Sequence, residues 1–258
     1  MTKEVFIKDV MVKPATIAKS AKITEALDKM LDESIDPLIA VNNNSVVGTV
    51  SRQAIAEKLG SRQNSGVAPA AIHVASVVKE DFTSVYPDEN ANVLIPLLQR
   101  YKLVVVYDSD HKLIGQVSAG DLLKKYIPED GIESAIEKVV TIDSEERVVH
   151  LRRRMLDDNI TRFVVSEHDK YTGIVTETDV AIAMRKFREA VEDNHQDHRI
   201  RNLLVKDIMS APLVTVDRSA TAADVVKIML KKNYSAIPVM DKGKLVGIVT
   251  RHSLVNAL

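Results

Sequence analysis

A hydroxyl followed three residues later by a carboxylate occurs twice in matching surroundings, as Ser118 with Asp121 and as Thr176 with Asp179. Each pair follows an apolar run interrupted by one glycine, Leu113-Ile114-Gly115-Gln116-Val117 in one case and Tyr171-Thr172-Gly173-Ile174-Val175 in the other, and each opens a stretch of helical character. Two chemistries suit the spacing. In a capping box both side chains satisfy free N–H groups at a helix start. In a ligand site the same helix end, with its N–H groups and positive dipole, attracts an anion. The pattern recurs in altered form as Ser51 with Ala54 and Thr250 with Ser253. Those helices must also start, so loss of the acid there indicates that capping does not require it.

Other chemistries find less support. The chain has no cysteine, which removes disulfides, Cys-ligated zinc, iron–sulfur clusters and thiol nucleophiles. No Gly-x-Gly-x-x-Gly or Lys-Ser/Thr phosphate loop is present. His195 and His198, with Asp197 beside them, could share a helix face, but a metal needs a third well-placed ligand, so a polar linker is the expectation. Arg152-Arg153-Arg154 would be spread about 100° apart on a helix and so form no single patch. The 35 Lys+Arg against 36 Asp+Glu leave a formal net charge of −1, with no bulk basic surface for nucleic acid or lipid. Aromatic residues are 4% and Trp is absent, which disfavours base stacking. No run approaches the roughly 20 apolar residues of a membrane helix, and residues 1–9 lack a signal-peptide core; a cytoplasmic protein is the expectation.

The elements that carry these residues come in four copies. Each glycine lies in a similar run: Val46-Val47-Gly48-Thr49-Val50-Ser51, Leu113 to Ser118, Tyr171 to Thr176, and Leu245-Val246-Gly247-Ile248-Val249-Thr250. The glycines are unevenly spaced, which signals domain-like units with variable linkers. Upstream of each lies a β-like run (Leu38–Val41, Leu103–Val106, Phe163–Val165, Ile237–Val239). Before it comes an amphipathic helix, clearest in Ile23, Ala26, Leu27, Met30, Leu31 and in Ala222, Val225, Val226, Met229, Leu230. Pro96 should start or kink the second of these helices. Earlier still is a short strand: Ala15–Ile17, Thr83–Val85, Val139–Thr141 and Leu213–Thr215. A closing helix follows each Ser/Thr, as in Asp121–Tyr126 and Asp179–Phe187. Asn42-Asn43-Asn44 and Asp241-Lys242-Gly243 look like hairpin turns. The unit therefore reads βαββα, an α/β (α+β) plan with a thin core that should pair with a neighbour. Linkers Ser61–Ala71 and Arg188–Asn202 join units one to two and three to four, so the halves look like a duplicated duplication. The four glycines are expected to permit close backbone packing, and Met11 and Met209, at matching places, to be core or interface residues.

Val205-Lys206-Asp207-Ile208-Met209, Ala236-Ile237-Pro238-Val239-Met240-Asp241 and Leu245 to Thr250 closely resemble the CBS domain, named from cystathionine beta-synthase; Ile7-Lys8-Asp9-Val10-Met11 opens a second clear copy. The resemblance covers nearly the whole chain as units 1–60, 72–127, 131–187 and 203–258, in pairs 1–127 and 131–258. The architecture is similar to stand-alone archaeal and bacterial four-CBS proteins and to the gamma subunit of AMP-activated protein kinase.

The resemblance implies two tandem pairs, arranged as a flat disc within one chain or in a homodimer, and a non-enzymatic regulatory role. Adenosine-containing ligands (AMP, ADP, ATP or S-adenosylmethionine) would sit in clefts between paired units, and no cofactor would be required. In the family the signature hydroxyl lies near the phosphate and the Asp holds the ribose. That assigns Ser118 with Asp121 and Thr176 with Asp179 to two intact sites, and leaves the clefts of Ala54 and Ser253 weak or empty. Ser253 could still offer a single neutral hydrogen bond. Because clefts are shared across a pair, the resemblance places Asp121 near Thr16 and Asp179 near Thr215. It carries phosphate contacts to Lys102, Arg162, Arg251 and His252, with Arg52 nearby. Expected partners are an adenosyl ligand and either a second copy or a regulated protein. The alternative is an adaptor with degenerate clefts and a protein partner. CBS domains also occur in inosine monophosphate dehydrogenase, but its cysteine nucleophile is absent from this chain.

Overall fold

The computed structural model describes residues 4–60, 68–129, 131–190 and 202–258. Unit one runs β1 (Thr16–Ala18), α1 (Ile23–Asp32), β2 (Leu38–Asn42), β3 (Ser45–Val50) and α2 (Arg52–Gly60). Unit two repeats the order as β4 (Thr83–Val85), α3 (Leu94–Arg100), β5 (Leu103–Tyr107), β6 (Leu113–Ser118) and α4 (Ala119–Leu122). Unit three has β7 (Ile136–Glu137), β8 (Thr141–Asp143), α5 (Val148–Asp157), β9 (Arg162–Glu167), β10 (Lys170–Thr176) and α6 (Glu177–Ala190). Unit four has α7 (Val205–Ile208), β11 (Val216–Asp217), α8 (Ala222–Lys232), β12 (Ala236–Asp241), β13 (Lys244–Thr250) and α9 (Arg251–Asn256). In each unit a short leading strand (β1, β4, β8 or β11) pairs parallel with the middle strand, and the middle strand pairs antiparallel with the last.

Local sequence explains these elements. The hairpins turn on residues that accept positive φ: Asn43 and Asn44 at 48° and 65°, and Lys242 and Gly243 at 49° and 80°. Helix α1 buries Ile23, Ala26, Leu27 and Met30, and α8 buries Ala222, Val225, Val226 and Met229, the stripes their periodicity predicts. Pro96 lies in the first turn of α3, where no intrahelical N–H is needed. Two leading strands depart from expectation. Unit three's begins at Thr141, and unit four's at Val216, so Thr215 lies outside it. The physical reason in unit four is that the Leu213 N–H donates to Thr172 O of unit three (3.0 Å), which holds that segment off its own sheet.

Sister units trade their leading segments. Val12 pairs with Gln116 on β6 while Lys79 pairs with Thr49 on β3; Ser210 pairs with Ile174 on β10 while β7 pairs with β13. The four glycines stand where these segments cross. A Cβ on Gly48 would lie 2.2 Å from Lys79 O, on Gly115 2.9 Å from Met11 Sδ, on Gly173 2.8 Å from Met209 Sδ, and on Gly247 2.3 Å from Ile136 Cγ2. Met11 and Met209 are thus interface residues at equivalent crossings.

The sheets of units one and two meet through Ile39, Leu103 and Val105. Units two and four share one continuous core, with α3 and α4 packed on α9 and with Leu94, Leu98, Leu122, Leu254 and Val255 fully buried or nearly so. Units one and three meet through α1, α2 and α6, with Ala181 entering the unit-one core and an Arg185–Asp32 pair at 2.6 Å. Contacts one–two, two–four, four–three and three–one close a ring within one chain. No helix among the described residues is long and apolar enough to cross a membrane.

Candidate functional site

The ring encloses a cavity of about 1120 Å³ lined by residues of all four units. Seven Lys and Arg side chains line it against four carboxylates, an excess of positive charge inside a chain of net charge −1. The starts of α4, α6 and α9 all open onto it.

At the start of α4, the Ser118 hydroxyl and N–H both donate to Asp121 Oδ2 (2.6 and 3.0 Å), and Lys124 Nζ donates to Oδ1 (2.8 Å). At α6 the arrangement repeats. Thr176 donates through its hydroxyl and N–H to Asp179 Oδ2 (2.6 and 2.8 Å), and the Ser210 hydroxyl donates to Oδ1 (2.8 Å). In both, one carboxylate oxygen is fixed inward and the other is held by a single side chain with substantial solvent exposure.

The two altered copies cap their helices without an acid. Ser51 Oγ accepts from Ala54 N (3.2 Å), and Thr250 Oγ1 accepts from Ser253 N (2.9 Å). Ser253 is buried, and its hydroxyl accepts from Thr250 N (2.9 Å) and donates to Thr250 O (3.1 Å). Its single hydrogen is engaged, and one lone pair remains, enough for one neutral hydrogen bond from a sugar hydroxyl in place of a carboxylate's two. Thr250 also donates to Glu137 Oε2 (3.2 Å). Thr250→Ala should cost about 1–2 kcal/mol of stability, the usual range for a lost cap, and Thr250→Ser should restore most of it; the shift in urea midpoint measures both.

The basic residues singled out by sequence, Lys102, Arg162, Arg251 and His252 with Arg52, all line the central cavity, together with Ser118, Asp121 and Thr176. Arg251 donates from Nη2 to Met229 O and Asn233 Oδ1 (3.0 Å each), and its Nη1 lies where a Cβ on Gly120 would be only 2.9 Å away. The arginine of unit four thus reaches across to the start of α4 in unit two. Burial lowers its pKa and the charge of Asp121 opposes that. Arg162 stands opposite Thr176 in the β9–β10 register; burial lowers its pKa too, against the pull of Glu177 and Glu137. The Arg52 N–H donates to Asp36 Oδ1 (3.0 Å), its Nη2 lies 3.7 Å from Asp36 Oδ2, and its Nε is buried without a partner.

Thr16, Thr215 and Asp179 do not line the cavity. Thr16 offers its carbonyl to Lys29 Nζ (2.8 Å), and Thr215 is exposed. The strand of Thr16 nevertheless abuts unit two, because Ala15 N donates to Gln116 Oε1 (2.8 Å), and Asp179 meets the segment leading into unit four through Ser210. Of the arginine run, Arg153 pairs with Asp157 (3.2 Å), Arg154 covers the Phe163 ring (4.8 Å), and Arg152 is drawn into the layer between units one and three, where burial lowers its pKa. His195, Asp197 and His198 lie outside the described residues.

Sequence reasoning missed Asp36, Gln116, Lys124, Glu137 and Glu177, all of which line the cavity. The available signal was in the two residues between hydroxyl and acid: Arg52-Gln53 and Arg251-His252 where the acid is lost, Ala119-Gly120 and Glu177-Thr178 where it is kept.

Four βαββα units that trade leading segments in two pairs, and close a ring around a charged centre, define a module of paired repeats. The CBS domain matches residues 7–61, 74–127, 132–186 and 205–258, and the chain belongs to the CBS domain family. An uncharacterized protein of Methanocaldococcus jannaschii is 25% identical over 264 residues, covering 98% of this chain and 61% of its own length. One from Methanopyrus kandleri is 31% identical over 126 residues, 48% of this chain and 60% of its own. The chain thus spans about three fifths of the length of these relatives. A second M. jannaschii protein, whose crystal structure was proposed as that of an archaeal homolog of γ-AMPK, shares the fold with a TM-score of 0.82 at 21% identity, over 98% of this chain and 99% of that one.

Proposed function

We propose that the chain is a non-enzymatic sensor that binds adenosine-containing ligands (AMP, ADP, ATP or S-adenosylmethionine) in clefts between paired CBS units. The observation that carries this reading is the matched pair of hydroxyl–carboxylate groups, Ser118–Asp121 and Thr176–Asp179, whose outer oxygens rest on Lys124 and Ser210. A ribose diol can replace either of those partners. The phosphate end would then point to the ring centre, toward Arg251 from unit two's site and toward Arg52, Lys102 and Arg162 from unit three's. The base would lie toward the first strand of the sister unit, near Thr16 or Thr215. Ala54 and Ser253 leave the remaining clefts without a carboxylate for the sugar, so two strong sites per chain are expected.

Binding changes the angle between sister units only to the extent that the ligand prefers one arrangement. That change would pass to a second copy or to a regulated protein in the cytoplasm. Isothermal calorimetry with the four compounds tests the reading, supported by a ligand-dependent rise in melting temperature. Failure of all four at about 1 mM, an affinity near 4 kcal/mol, removes it. A flat response with a co-purifying protein would favour the adaptor instead.

A further inference from the structure

Glu177 stands where two cavities meet: the central one and a smaller apolar one of about 70 Å³ between α1, α2, α5 and α6. In unit two the equivalent residue is Ala119, which has no charge to offer. The Glu177 N–H donates to Thr161 O (3.0 Å), which holds the start of α6 beside Arg162. Facing its carboxylate are Arg52 of α2, Asp36 before β2, Lys102 before β5 and Arg162 of β9, with Arg152 of α5 on the apolar side. Among the described residues, the side chains of Glu177, Lys102 and Arg162 form no hydrogen bond or ion pair. The cations are gathered around the carboxylate without touching it. Burial and Asp36 push the carboxyl above the ordinary glutamate range, and Lys102, Arg52 and Arg162 only partly offset them.

We propose that Glu177 is the resident counter-ion of this cluster, and that a phosphate-type oxyanion entering the central cavity takes over Arg52, Lys102 and Arg162 while the Glu177 carboxylate takes up a proton. The inference rests on the reading that the cavity receives phosphoryl groups. It makes the two intact sites unequal: binding on the unit-three side strengthens as pH falls, and binding on the unit-two side, with Ala119, does not depend on such a group. The sign follows from linkage. The bound anion raises the carboxyl's pKa further, so the complex holds more protons than the free protein, and affinity is lost as pH climbs through the interval between the two values. A full proton corresponds to a tenfold loss of affinity per pH unit.

Calorimetry with inorganic tripolyphosphate, at pH 6 and pH 8 in two buffers of different ionisation enthalpy, tests this in wild type, Glu177→Gln and Glu145→Gln. The variant Glu177→Gln should bind about tenfold more tightly at pH 8 and lose the proton uptake seen in wild type beyond that of tripolyphosphate itself. Glu145→Gln, an exposed carboxylate outside the cavity that pairs with Lys206, should keep the wild-type pH dependence. Equal affinity and equal proton uptake in wild type and Glu177→Gln would overturn the inference, as would failure of tripolyphosphate to bind either. Should Glu177→Gln not fold, a wild-type affinity for the fully ionised tripolyphosphate that is equal at pH 6 and pH 8 would overturn it alone. The two readings part cleanly. If tripolyphosphate behaves as stated but no adenosine compound binds better than it, the adenosine assignment falls and the counter-ion stands. If adenosine ligands bind through Asp121 and Asp179 while Glu177→Gln changes nothing, the reverse holds.

Discussion

Asp121→Ala combined with Asp179→Ala should abolish measurable binding of adenosine-containing ligands. Each single change should weaken the site it occupies by about ten- to a hundredfold, the 1.5–3 kcal/mol of a hydrogen-bonding charged group. The loss is expected to be specific to the ligand. Helices α2 and α9 begin on Ser51 and Thr250 without any acid, so α4 and α6 should still form when theirs is removed. The cost in stability should stay near 1 kcal/mol per site, as for other caps. Calorimetry reads the first effect and thermal unfolding the second. Unchanged affinity in the double variant would show that the carboxylates are only caps.

Gly48→Ala should be the most damaging single-methyl substitution at the crossing points. Its Cβ would lie 2.2 Å from Lys79 O and 2.7 Å from Val78 Cγ1, against backbone that is itself bonded, with Thr49 and Lys79 exchanging hydrogen bonds at 2.9 and 2.8 Å. The residue also sits at φ 145°, where a side chain is strained. Overpacking of 1–3 kcal/mol and backbone strain of similar size add to about 4 kcal/mol, a large share of the 5–15 kcal/mol that holds a typical protein folded. Gly243→Ala is the control: φ there is 80°, but nothing lies within 4 Å of the added carbon. Denaturant unfolding should separate the two by at least about 2 kcal/mol. Equal midpoints would mean that the traded segments do not bind the pair together.

What could be read from the sequence was local. Hairpin turns, amphipathic stripes and the hydroxyl–acid spacing each lie within a few residues, and four copies reinforce one another. The glycines were legible for the same reason, although only the fold shows that each faces a segment of its sister. The ring was not legible, because its seams join residues far apart in the chain: Gln53 with Asn159, Asp32 with Arg185, Gly120 with Arg251. No periodicity marks such contacts. Glu177 escaped notice because the positions between Thr176 and Asp179 look variable, and its meaning comes from Asp36, Arg52 and Lys102, which approach from the other pair. Gln116 is one polar letter in an apolar run, and only the fold shows its side-chain carbonyl accepting from Ala15 N of the sister unit. Unit four's first strand was placed too early because its apolar letters, Leu213 and Val214, suit a strand, yet the Leu213 backbone bonds to unit three.

A crystal structure of the protein grown with ATP tests the sugar grip most directly. The account predicts ribose hydroxyls about 2.6–3.2 Å from the carboxylates of Asp121 and Asp179, with phosphates directed into the central cavity and Lys124 and Ser210 released from their present bonds. Asp121 still resting on Lys124 and Asp179 still on Ser210, with nucleotide absent from both clefts at saturating concentration, would contradict it.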